Sequence, residues 1–472
     1  MSPSAACHER RGHLPDGTGY AIRMPASWSG LLVRDLDFAQ WVDEPERAGR
    51  YLDLLARGHA IAGTALHPLR PWQYDPVREI GNLERVTDLF EREWGRPDRL
   101  LQFGCSGGGH VGLAVAEAFH DRVDGTVAMG THTPVWLMNT FLDGWFALQA
   151  LLSAHYVAAG GGDASDLTIS GLPNDGSAHP SGHGMVGRIP DAWRNAFRAA
   201  HETPAGRARM VLAFALGQWS PWLAPDAPEP DLDDVDALQE AVFRSALQIA
   251  QSPGGEARIM FENAAQGRQP SWNEGVDYAA SYRNAAPAMR HAVEALYDRA
   301  GASLERDLDA VNGATRIAPS EHAQAFWRQR GRTVFGDPAI PVFRMHMIGD
   351  HQVPYSLALG YEEALARQGR SDAVRFAYVR RTGHCNFTNA ETATAVDVLV
   401  RRIETGEWPD TTPAALEARA SALCLDQPSA FADVGAYRVA RYNRLWLPEL
   451  GRGAGRGRAR GPRPRRTVSG AP

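Results

Sequence analysis

Residues 99–120 read RLLQFGCSGGGHVGLAVAEAFH, and the fold turns on this stretch. Leu100, Leu101 and Phe103 belong to a short apolar run of strand length, while residues 110–120 carry apolar side chains at helical spacing. Residues 123–130, VDGTVAMG, read as the next strand. A strand, a tight turn, a helix and a further strand imply a parallel sheet. Inside the turn, Gly104-Cys105-Ser106-Gly107-Gly108 fits Gly-x-Ser-x-Gly, a strand-to-helix turn that lifts a serine hydroxyl clear of the sheet. Glycines are needed there because strand and helix approach too closely for side chains. Such a pentapeptide is short enough to arise by chance as a plain glycine-rich turn, so its setting between strand and helix carries the reading. Residues 107–112 also fit Gly-x-Gly-x-x-Gly, but a nucleotide site would place it after the first strand, with an acidic residue after the next one. Neither condition is met.

Outward from this turn the same rhythm continues. Between Gly19 and Gly63, the segments YAIRMP, GLLVRDLDF, YLDLLARGHA and AIAGTAL predict strand, strand, helix and strand. A helix is predicted over 77–94, with Ile80, Leu83, Val86 and Phe90 on one face. From about Thr131 to Gly336 the chain is rich in helical segments broken by Gly, Pro and Asp. Strand character returns in IPVFRMHMIGD (340–350) and VRFAYVRRTGHC (374–385), with the helical LALGYEEALARQG between them. The expected organisation is an N-terminal extension (1–18), an α/β core (19–135 and 336–447), a helical lid (136–335) and a disordered Arg/Gly/Pro-rich tail (448–472). Residues 173–187 are expected to form a polar loop within the lid.

Composition narrows the chemistry. The chain has a net charge of -6 and 22% charged residues, which predicts neither a nucleic-acid nor a membrane partner. It contains no lysine, which removes Schiff-base lysines and P-loop lysines. No cofactor and no metal site is expected. The four cysteines are too scattered for a Cys-x-x-Cys zinc site, and DLDD at 231–234 reads as a helix start.

A serine hydroxyl at neutral pH needs a histidine base and a carboxylate that fixes the base's tautomer. The first late strand ends in Asp350 and the second in His384, 34 residues on, which is the order Ser, Asp, His with room for one helix between acid and base. The alternative for Asp350 is a turn or capping aspartate, with His346 and His351 beside it; for His384 it is a structural histidine among 16. For the developing oxyanion, the amide of Gly107 is one donor, with a second near Leu36 and Asp37 in VRDLDF.

Cys105 directly precedes Ser106 and Cys385 directly follows His384. With the Gly-x-Ser-x-Gly turn and the order of the triad, this resembles the CS-D-HC arrangement of the tannase and feruloyl esterase family of α/β-hydrolases. The resemblance covers residues 19–130 and 336–410 at the level of motifs. It implies an α/β-hydrolase fold with a helical lid, Ser106 as nucleophile, Asp350 and His384 completing the triad, and a disulfide between Cys105 and Cys385. A disulfide implies an oxidising compartment, whereas residues 1–17 lack the apolar stretch of a secretory signal and lead to the expectation of a cytoplasmic chain.

The expected activity is hydrolysis of a carboxylic ester through an acyl-serine intermediate, on a small-molecule substrate with an aromatic group as one candidate. Acyl transfer and amide or peptide cleavage use the same triad and stay open, as does a non-catalytic binding role. Trp136, Trp145, Trp219 and Trp222 are candidates either for an aryl pocket or for the core.

Overall fold

A computed structural model describes residues 7–70, 73–170, 188–251, 255–425 and 427–444. Nine strands form one sheet: β1 (Cys7–His13), β2 (Gly19–Pro25), β3 (Leu31–Asp35), β4 (Ala60–Thr64), β5 (Arg99–Cys105), β6 (Gly125–Met129), β7 (Val342–Gly349), β8 (Val374–Thr382) and β9 (Phe431–Ala432). Their spatial order is β1-β2-β4-β3-β5-β6-β7-β8-β9. The six strands from β4 across to β8 run parallel, and β1, β2 and β9 join antiparallel at the two margins.

Residue alternation assigns the two faces. Leu32 and Leu100 point to one side, where they meet Ile80, Leu83, Val86 and Phe90 of α3 (Pro76–Trp94) and Ala114 and Val115 of α4 (Gly107–Ala118). Val33, Leu101 and Phe103 point to the other, against α2 (Pro45–Ala56) and α15 (Asn389–Thr405). Strands buried on both faces are mostly apolar, and exceptions such as Arg34 and Gln102 are buried and hydrogen-bonded to each other. Short α1 (Phe38–Trp41) follows β3, and α14 (Ser356–Gln368) and α16 (Pro413–Ala422) complete the layers around the sheet. This mostly parallel sheet with helices on both faces and a serine turn after β5 is the α/β-hydrolase fold.

Between β6 and β7 the described α-helices are α5 (Pro134–Ala158), α6 (Arg188–His201), α7 (Pro204–Gly217), α8 (Val235–Ile249), α9 (Gly255–Ala264), α10 (Tyr278–Arg283), α11 (Pro287–Ala300), α12 (Leu304–Gly313) and α13 (Glu321–Trp327). They hold a second core, centred on Trp145, Trp193, Phe197, Phe214 and Trp219. Helix α5 is buried almost all round, as an apolar helix at the centre of a bundle must be. Asp234 caps α8 by accepting from the N–H groups of Asp236 and Ala237, so the DLDD segment is a helix start.

Residues 7–13, read from sequence within an N-terminal extension, form the edge strand β1, paired with β2 from Cys7–Pro25 to His13–Gly19. Largely exposed, the strand carries no apolar alternation and is held by its ladder and by ion pairs such as Arg23–Glu9 and Arg11–Asp43. The loop at 173–187 and the tail at 448–472 lie outside the described residues.

The β5–α4 turn has no slack. A Cβ built on Gly104 would lie 2.6 Å from the carbonyl carbon of Gly108, and one on Gly109 would lie 2.8 Å from the Met129 carbonyl oxygen. Gly104→Ala is expected to cost about 3 kcal/mol, the upper range for overpacking, because only backbone can yield. Gly81→Ala, on an exposed face of α3 with nothing within 4 Å, is expected to stabilise by about 1 kcal/mol. Urea denaturation of the two variants measures both; a tolerated Gly104→Ala would show that the turn is looser than described.

Candidate active site

Ser106 stands at the end of β5 with φ 55° and ψ −119°, a backbone conformation rarely adopted by a side-chain-bearing residue. The strain is held from several sides. Ser106 N–H donates to the Met129 carbonyl at 3.0 Å, and the Ser106 carbonyl accepts from His110 N–H at 2.9 Å and Thr131 Oγ1 at 2.6 Å. Thr131 in turn accepts at its carbonyl from the fully buried Arg344, at 2.5 Å. Gly107 is the first residue of α4, so its N–H has no partner inside the helix.

Asp350 follows β7 and His384 follows β8, adjacent parallel strands that bring the two loops together. Gly383 N–H donates to the Gly349 carbonyl at 3.2 Å, which joins the loops directly. His384 Nδ1–H donates to the Asp350 carboxylate, at 2.9 Å to Oδ2 and 3.0 Å to Oδ1. The N–H groups of Gln352 and Val353 both donate to Asp350 Oδ1 at 2.9 Å. Burial pushes the Asp350 pKa up, yet the opposed attraction and hydrogen bond of His384, with His346 and Val353, hold it below the ordinary aspartate value. The carboxylate is therefore ionised, and with Nδ1–H donating to it Nε2 is the ring nitrogen left to accept a proton.

A disulfide links Cys105 to Cys385 across 280 residues of sequence, with Cα atoms 5.9 Å apart. It ties the residue before Ser106 to the residue after His384. Gly130, at the end of β6 with φ 46°, leaves the space at this junction: a Cβ there would lie 3.2 Å from both Asp350 Oδ2 and Cys105 Sγ. The structure thus gathers Ser106, Asp350 and His384 around the carboxyl ends of β5 to β8, with acid and histidine hydrogen-bonded. His384 Nε2 is buried and shares no hydrogen bond with Ser106 Oγ.

His346 and His351, the neighbours that complicated the sequence reading, occupy other positions. His346 is buried, pushed down to about 4 by desolvation, and its Nε2–H donates to the Val353 carbonyl at 2.8 Å. His351 lies beside Asp350 without a hydrogen bond to it among the described residues, and burial lowers its pKa too. Of the second-donor candidates, Asp37 uses its N–H on Asp35 Oδ1 at 3.3 Å, while Leu36 lies against the start of α4. Trp136, Trp145 and Trp219 are core residues, at most 2% exposed; Trp222 is half-buried, and its carbonyl oxygen lies 2.7 Å from a Cβ built on Gly349.

Two residues absent from the sequence reading border the turn. The Arg70 guanidinium lies against Gly107, where a Cβ would be 2.7 Å from Nη2, and pairs with Asp37. Tyr74 packs beneath that guanidinium, donates its hydroxyl to the Gly107 carbonyl at 2.8 Å and meets Phe261 of α9 edge-on. Their segment, HPLRPWQY, has no motif or periodicity by which to recognise it.

Removing the cross-link by Cys105→Ser with Cys385→Ser is expected to destabilise the protein by about 2–4 kcal/mol. The check is urea denaturation with and without reductant: the wild type should shift under reductant, and the double variant should not.

No family model matches the chain. Among curated proteins, it is 55% identical over 453 residues to an o-phthalyl amidase from Xanthobacter agilis, covering 95% of this chain and 100% of that one. Among solved structures, feruloyl esterase B from Aspergillus oryzae aligns with TM-score 0.42 at 13% identity, over 87% of this chain and 84% of that chain. Est1E from Butyrivibrio proteoclasticus aligns with TM-score 0.36 at 10% identity, over 84% and 99%. Identity at that level over 95% of this chain and all of the relative leaves one conclusion: this protein is a hydrolase of the family to which the o-phthalyl amidase of Xanthobacter agilis belongs.

Proposed function

We propose that this protein is a serine amidase that cleaves the amide bond of an o-phthalyl amide, releasing an amine and the aromatic ortho-diacid. The observation that carries the reading is the 55% identity, over 95% of this chain, to an o-phthalyl amidase. The geometry around Ser106 supports it chemically. Ser106 Oγ attacks the amide carbonyl while His384 Nε2 takes its proton, and Asp350 holds the imidazole in the productive tautomer and offsets its charge. The unpaired N–H of Gly107 at the start of α4, reinforced by the helix dipole, faces the developing oxyanion. His384 then protonates the leaving amine, and a water activated by the same nitrogen resolves the acyl-serine. The helices between β6 and β7 act as the lid that shapes the acyl pocket.

A second reading keeps an ester as the natural substrate. It is favoured by the Cys105–Cys385 bridge, the cross-link implied by the resemblance to tannases and feruloyl esterases. Both bonds pass through the same acyl-serine, so one pair of substrates separates them: 2-carboxybenzanilide and the matching phenyl ester.

The amidase reading expects steady release of aniline, labelling of Ser106 by a fluorophosphonate, and loss of both in Ser106→Ala. Asp350→Asn is expected to lower kcat by about 10⁴-fold through the wrong histidine tautomer. Turnover of the ester without the anilide would replace the amidase by the esterase; a wild-type protein that hydrolyses neither and resists the probe would sink both.

A further inference from the structure

Resting on the amidase reading above, we propose that Arg70 is the residue that recognises the carboxylate standing ortho to the scissile bond. Three observations place it there. First, its guanidinium lies directly beside Gly107, with Nη2 2.7 Å from the Cβ position of the residue whose N–H faces the oxyanion. In a 2-carboxybenzoyl group the carboxylate carbon and the scissile carbonyl carbon sit on neighbouring ring atoms, in van der Waals contact. A substrate whose carbonyl oxygen reaches the Gly107 N–H therefore brings its second carboxylate within reach of this guanidinium.

Second, the guanidinium is held in place with donors to spare. Asp37 accepts from Nη1 at Oδ1 and from Nη2 at Oδ2, and the Tyr74 ring lies under the cation, 5.5 Å from its carbon to the ring centroid. A guanidinium carries five N–H donors, and among the described residues no further side-chain hydrogen bond to Arg70 is formed. The remaining N–H groups offer the planar, paired geometry that suits a carboxylate. Tyr74 also donates to the Gly107 carbonyl, so one residue sets both the cation and the oxyanion donor.

Third, the charge is secure. Burial works against it, but Asp37 and Glu79 outweigh that effect and keep Arg70 protonated. Arg70, Ser106 and Gly107 are each partly open to solvent, as a ligand that bridges them requires. With no lysine in the chain, arginine is the only permanently charged side chain available for this task.

The test uses the full-length protein and two readouts. One is kcat/KM for 2-carboxybenzanilide against unsubstituted benzanilide. The other is protection of Ser106 from a fluorophosphonate by the free ortho-diacid, phthalate, against its para isomer, with thermal melting to check folding. In Arg70→Gln the preference for the ortho-acid amide is expected to fall by about 10- to 100-fold, mainly through KM, as for the loss of a charged hydrogen-bond pair. Protection by phthalate is expected to disappear. Arg70→Lys, which keeps the charge without the fork, should restore part of both and carries the test if Arg70→Gln fails to fold.

An equal loss of kcat on both amides would overturn the proposal by making Arg70 an oxyanion donor. Wild-type protein that turns over the ortho-acid amide but gains no phthalate protection through Arg70 would overturn it while leaving the amidase reading intact. Arg70-dependent protection without amide turnover would do the reverse, keeping the carboxylate site and removing the amidase.

Discussion

The close contact between the Gly104 and Gly108 backbones sets everything around it. With no room for a β-carbon between them, β5 can turn into α4 in a single residue, and that residue, Ser106, must accept a positive φ. The turn is bought with contacts from neighbouring strands: Met129 at the end of β6 takes the serine N–H, while Arg344 of β7 holds Thr131, whose hydroxyl holds the serine carbonyl. Three adjacent strands thus share the strain. The site is consequently a property of the parallel sheet rather than of the pentapeptide.

The acid and the histidine obey a second constraint. Parallel β7 and β8 end side by side, so the loops that follow them are neighbours regardless of the helix that separates them in sequence. The hydrogen bond between Gly383 and Gly349, the paired N–H groups on Asp350 and the Cys105–Cys385 cross-link remove most of the freedom left to the pair. A buried carboxylate would ordinarily be driven toward its neutral form; here the fixed donors and the imidazole prevail. Preorganisation of this kind lowers the entropy lost on reaching a reactive geometry.

On the other side of the turn, Arg70 and Tyr74 join the sheet to the helices that follow β6. Tyr74 touches Gly107 with its hydroxyl and Phe261 with its ring, so the start of α4 and helix α9 meet through one side chain. The aromatic residues of the second core pack edge-on around Trp145 and Trp219, giving that helical layer a buried centre of its own. Three of the tryptophans that suggested an aryl pocket belong to buried packing, and the residues that stand next to the serine turn are Arg70 and Tyr74.

The amino-acid sequence by itself determined the strand, turn and helix around Ser106, the βαβ rhythm on both sides and the order of serine, acid and histidine. Those features are local, written in apolar periodicity and in glycines whose spacing has a steric meaning. It left β1 unseen because an exposed, charged edge strand has no periodic signature. Arg70 escaped notice because its surroundings in sequence, HPLRPWQY, carry no motif or periodicity, and its relation to Gly107 exists only after the sheet has closed. Position after the late strand singled out Asp350 over its neighbours His346 and His351, but only the fold shows that His346 is buried against Val353 while Asp350 meets His384. Tertiary structure made these decisions because hydrogen bonds and ion pairs depend on distances across strands that chain order does not encode.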